Sequence, residues 1–120
     1  MLAGLLGFAV SAPYPAVGHA GGHLFWLFEV NVLHNVVHLA IGVAMVASSF
    51  AGRLPPAVTN TFFGGAYLLI GVYGVLIQPG GPANVLALNA ADNLLHLGLG
   101  GVICVVGVDA LVQLRRNHWR

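Results

Sequence analysis

The sequence predicts an all-α integral membrane protein, a four-helix bundle made of two tandem helical hairpins. Three observations predict it. Of 120 residues, 58% are hydrophobic and only 6% are charged, and mean hydropathy is +0.90, whereas soluble domains carry about 25% charged residues. Four apolar stretches alternate with turn-rich breaks. One polar pattern, Asn-x-x-His/Asp-Asn-x-x-His-Leu-x-x-Gly, occurs at residues 31–42 and again at 89–100, an offset of 58. A chain this poor in charge cannot keep a globular surface hydrated, and its 17 glycines suit membrane helices that approach closely.

The first apolar stretch, residues 1–12, lacks the positive leading segment of a signal peptide and reads as membrane helix. Twelve residues span about 18 Å, against about 30 Å of bilayer core. It is therefore either a partial helix or the end of one whose chain starts upstream of Met1. Pro13 and Pro15 stop it, and a linker follows with Gly18, Gly21, Gly22, His19 and His23. The second stretch runs over residues 31–50. The third runs over 58–78, after Pro55 and Pro56, and ends at Pro79-Gly80-Gly81-Pro82. The fourth covers 89–114. Each of the last three reaches the roughly 20 residues a span needs.

The chain reads as one transmembrane domain over 1–120, with a first hairpin at about 1–50 and a second at about 58–114. Gly4-x-x-Gly7 and Gly71-x-x-Gly74 extend the likeness between the halves. A hairpin repeated in tandem keeps its orientation, so a pseudo-twofold axis along the membrane normal is expected. Arg53 lies between the second and third stretches, and Arg115, Arg116 and Arg120 follow the fourth. In a four-span chain these fall on one side, which places both termini in the cytoplasm. Phe25, Trp26 and Phe28 then suit an outer aromatic belt, and Trp119 an inner one.

At about 100° per residue, Asn31, His34, Asn35, His38 and Gly42 share one arc of their helix, as do Asn89, Asp92, Asn93, His96 and Gly100. Polar stripes on membrane helices face the bundle interior or water, so the two should face each other. Asn31 and Asn89 read as helix caps, the other Asn, His and Asp side chains as hydrogen-bonded cross-links between the second and fourth helices, with Asp92 and His34 as an ion pair. Gly42 and Gly100 read as notches for close packing.

A second reading is a transition-metal or haem site. His34/His38 and Asp92/His96 are spaced i, i+4, and together offer three imidazoles and a carboxylate to one ion. His38 and His96 offer a pair of axial haem ligands. A third reading, proton movement along the seam, is weakened because Asp109 is the one acid deeper in the motif helices. Tyr67 and Tyr73 read as core or lipid-facing. Cys104, the single cysteine, reads as a buried inert thiol. No nucleophile–base set is visible, so no enzyme activity is expected, and no basic patch suggests nucleic acid.

The segments Glu29-Val-Asn31-x-x-His34-Asn35-x-x-His38-Leu and Asn89-Ala-Ala-Asp92-Asn93-x-x-His96-Leu-x-x-Gly100 resemble a family of small bacterial membrane proteins of unknown function, frequent in actinobacteria. The resemblance runs over about residues 2–113. It implies a four-helix protein of the bacterial inner membrane and supplies no activity or cofactor. The function expected is a non-catalytic accessory or scaffolding subunit, or a homo-oligomer, within the lipid bilayer.

Overall fold

A computed structural model describes residues 1–118, with His118 by its backbone alone. Trp119 and Arg120, expected at the inner interface, lie outside the described residues. The elements are α1 (Leu2–Ser11), β1 (Gly22–Leu24), β2 (Phe28–Val30), α2 (Val32–Ser49), α3 (Leu54–Leu76) and α4 (Ala90–His118). Helices α2, α3 and α4 are long and apolar enough to cross a membrane. Helix α1 is apolar but has only 10 residues.

Local chemistry accounts for the helix starts. Asn31 caps α2, its side chain accepting from the His34 N–H at 2.9 Å. At α4 the cap is reciprocal: Asn89 Oδ1 accepts from the Asp92 N–H at 3.0 Å, and Asp92 Oδ2 accepts from the Asn89 N–H at 3.1 Å. Helix α3 begins at Leu54, four residues before the expected position 58, with Pro55 and Pro56 in its first turn. Their missing N–H groups cost nothing there, since first-turn donors have no intrahelical acceptor. Helix α4 continues past Leu114 to His118.

The linker after α1 holds a small antiparallel ribbon, pairing Gly22 with Val30, His23 with Glu29 and Leu24 with Phe28. Its tip places Phe25 and Trp26 at φ 53° and 58°, a left-handed backbone uncommon outside glycine and asparagine. Trp26 is 93% exposed.

Helix α1 packs antiparallel on α2, with Met1 at Gly42, Gly4 at Leu39 and Gly7 at Asn35. Helix α3 packs antiparallel on α4, with Gly64 at Cys104, Gly71 at Leu97 and Gly74 at Asn93. A Cβ on Gly7 or Gly74 would collide with the facing Asn amide. Because a Cβ takes the place of a glycine Cα–H, that hydrogen points at the Asn Oδ1. Asn35 Oδ1 and Asn93 Oδ1 are buried and find no conventional donor among the described residues, so a weak Cα–H···O contact is what each one receives. Gly42 and Gly100 admit Met1 and the Tyr67–Leu68 segment respectively.

The distribution of polarity is inverted relative to a soluble domain. Asn31, His34, Asn35, Asp92, Asn93 and His96 are buried, while Phe62, Leu69 and Leu94 are each more than two-thirds exposed. Lipid on the outside makes this arrangement favourable, since polar groups then find partners only within the bundle.

Candidate functional site

The motif-bearing ends of α2 and α4 sit under a cap of loops, and asparagines tie that cap down. Asn31 Nδ2 donates to the Gly18 and Val85 carbonyls at 2.9 and 2.8 Å. Asn89 Nδ2 donates to the Leu27 carbonyl at 2.9 Å. Each motif asparagine therefore fastens the loop that precedes the other motif. Asn84, which sequence reasoning passed over, holds the 79–88 loop from within: Nδ2 donates to the Pro79 and Leu88 carbonyls, and Oδ1 accepts from the Leu88 N–H. Glu29 accepts from the Gly21 N–H at 3.0 Å.

Beneath this cap three imidazoles converge. One ligand nitrogen from each of His34, His38 and His96 lies within 4.8 Å of the others. His34 and His38, one turn apart on α2, bring their Nε2 atoms to 3.0 Å. Their rings lie 5.6 and 5.5 Å, centroid to centroid, from that of His96 on α4. His96 Nδ1–H donates to the Asp92 carbonyl at 2.7 Å. A carbonyl only accepts, so the proton is on Nδ1 and a neutral ring keeps its lone pair on Nε2. Tyr67 on α3 completes the cluster, its hydroxyl 3.2 Å from His38 Nδ1. With Nδ1 engaged there, His38 presents Nε2 inward. His34 Nδ1 is buried and has no hydrogen-bond partner among the described residues.

Several expected partners go elsewhere. Asp92 makes no ion pair with His34. Its Oδ2 accepts from the Asn89 N–H and from the Glu29 N–H of β2, both at 3.1 Å. A carboxylate on one methylene, at the first turn of a helix, reaches those backbone donors more readily than a ring across the bundle. The cluster is therefore three imidazoles rather than the expected three plus Asp92. Asn35 and Asn93 do not link α2 to α4. Asn35 Nδ2 donates to Ser11 Oγ at 2.9 Å, and each asparagine faces a glycine of its own helix pair. His19 and His23 are exposed, and Tyr73 donates to the Ala83 carbonyl. Cys104 is half-buried rather than buried. Asp109 is exposed and engaged by Gln113 at 2.6 Å.

The arrangement suits a small ion. Tetrahedral coordination with metal–nitrogen bonds of about 2.0–2.1 Å places ligand nitrogens about 3.3 Å apart, and the 3.0 Å His34–His38 separation is close to that edge. Imidazole nitrogens suit zinc, copper, nickel and iron. The Asp92 carbonyl and the Tyr67 hydroxyl stand where outer partners orient metal-bound imidazoles. Haem does not fit. His34 packs against both His38 and His96, filling the space a macrocycle would need between those two rings.

The chain belongs to the family described as "Domain of unknown function (DUF4383)", whose pattern it matches over residues 1–108. No curated protein and no solved structure matches it.

Proposed function

We propose that this member of the family is a membrane protein that binds one transition-metal ion through His34, His38 and His96. The observation that carries the proposal is the convergence of three imidazoles on one point inside an apolar bundle, with the Nδ1 atoms of His38 and His96 already engaged. The Nε2 atoms of His34 and His38 face each other at 3.0 Å, so both lone pairs are free to turn toward one ion when the rings are neutral. Protein purified in mild detergent should carry about one metal per chain, as a single three-imidazole site holds. His96→Ala should remove it, while His19→Ala and His23→Ala should not. Metal-free protein that takes up neither Zn²⁺ nor Cu²⁺, and that loses only thermal stability on His96→Ala, would overturn the reading.

The role around that ion is non-catalytic in this reading. The protein serves as an accessory subunit or homo-oligomer in a bacterial inner membrane. The exposed Val43 and Val46 of α2 and Phe50 just after it support a partner surface. A clean monomer in native mass measurement would argue against it. Arg53 and Arg115 line grooves at one end of the α3–α4 pair, which supports cytoplasmic termini. Descent from a tandem hairpin is supported by matched contacts: Gly7–Asn35 with Gly74–Asn93, and Met1–Gly42 with Leu68–Gly100.

A further inference from the structure

At the end of the molecule remote from the histidines, α4 is grooved. One cavity of about 490 Å³ is lined by Leu54, Val108, Leu111, Val112, Leu114 and Arg115. A second, of about 370 Å³, shares Val108 and Val112 with it and reaches from Cys104 to Arg116. Together they form an apolar channel along α4 between positions 104 and 115, about 17 Å at 1.5 Å per residue. That is close to the hydrocarbon depth of one leaflet, half of about 30 Å. Counting about 20 residues of core from Leu94 puts Arg115 and Arg116 at the headgroup level. Arg53 stands on the other side of Leu114, in a third groove of about 400 Å³ with Gln113 and Asn117. All three arginines are exposed. The one acid along the channel, Asp109, is engaged by Gln113.

We infer that this channel is a binding site for an anionic phospholipid, one acyl chain lying along Val108 and Val112 and the phosphate held by Arg115 and Arg116. Charge complementarity selects the occupant: cations gather at the mouth of an apolar groove whose length matches one leaflet. A cationic residue near an anionic headgroup is worth about fivefold in retention.

The test is native mass spectrometry of detergent-extracted protein offered phosphatidylglycerol or phosphatidylcholine with identical acyl chains. Phosphatidylglycerol should be retained preferentially. Arg115→Gln and Arg116→Gln should each reduce that retention about fivefold, and Asp109→Asn should raise it. Val112→Trp should block it without altering charge, and helical content by circular dichroism should match the parent for every variant. Equal retention of the two lipids would overturn the site. So would a phosphatidylglycerol preference that ignores the arginine, Asp109 and Val112 substitutions.

Discussion

The two copies of the polar pattern use the same positions differently. At the fourth position of the first copy, His34 extends its ring into the centre of the bundle, 3.0 Å from His38. At the fourth position of the second copy, Asp92 folds back onto backbone N–H groups of Asn89 and Glu29. One copy therefore contributes two imidazoles, and the other contributes one imidazole plus a stronger helix cap. Reach and charge explain the division. A ring on a methylene spans the gap between helices, while a short carboxylate is best stabilised where free N–H groups and the positive end of a helix meet it. The shared asparagines behave alike, capping their helices at positions 31 and 89 and pressing on glycines at 35 and 93.

This asymmetry predicts separable losses. The largest is at His34: His34→Ala should abolish metal uptake, measured by elemental analysis after dialysis, whereas Asp92→Ala should leave the metal-to-chain ratio unchanged. Equal loss in both variants would erase the distinction between the copies. Next are the glycine notches, where the copies should agree. Gly7→Ala and Gly74→Ala each force a methyl into an amide and should cost about 1–3 kcal/mol by overpacking, read as lower melting temperatures in detergent. A large effect at one glycine only would mean that the two asparagine contacts are not equivalent.

Tyr67 offers a smaller effect. Tyr67→Phe keeps the ring against His38 and His96 and deletes only the hydroxyl, so affinity should fall about tenfold, at the low end for an outer-shell partner, with stoichiometry intact. Competition against a chelator measures this. The smallest effect is the cap itself. Asp92→Asn keeps an acceptor oxygen and removes only the charge at the helix start, so it should cost about 0.3–1 kcal/mol of stability, and a shift in metal affinity would place Asp92 closer to the ion than its bonds to Asn89 and Glu29 imply.

How far the sequence reached is instructive residue by residue. Apolar length located α2 and α4, and the duplicated pattern singled out all three histidines of the cluster, because imidazoles and asparagines on apolar helices stand out against their surroundings. Tyr67 did not stand out. It sits on a helix without a polar motif, 29 residues from His38, and an aromatic in an apolar helix is ordinary core. The β1–β2 ribbon was hidden because its tip is Phe25-Trp26, and aromatic residues at positive φ are the opposite of a turn signal. The start of α3 was obscured by Pro55 and Pro56, which break helices in the interior yet open them at the first turn. The destination of Asp92 was decided by Glu29 N–H, supplied by a strand the sequence did not announce. Gly42 and Gly100 were legible as notches, but spacing alone does not say which neighbour enters them.

Extended X-ray absorption on zinc-loaded protein in lipid nanodiscs tests the central claim most directly, since it counts the imidazoles around the ion. Three histidine nitrogens at about 2.0 Å in the parent protein, and no bound zinc to count in His96→Ala, are the outcome expected of His34, His38 and His96 sharing one ion. A shell made of oxygen alone, or zinc that washes out of the parent protein on dialysis, would contradict it.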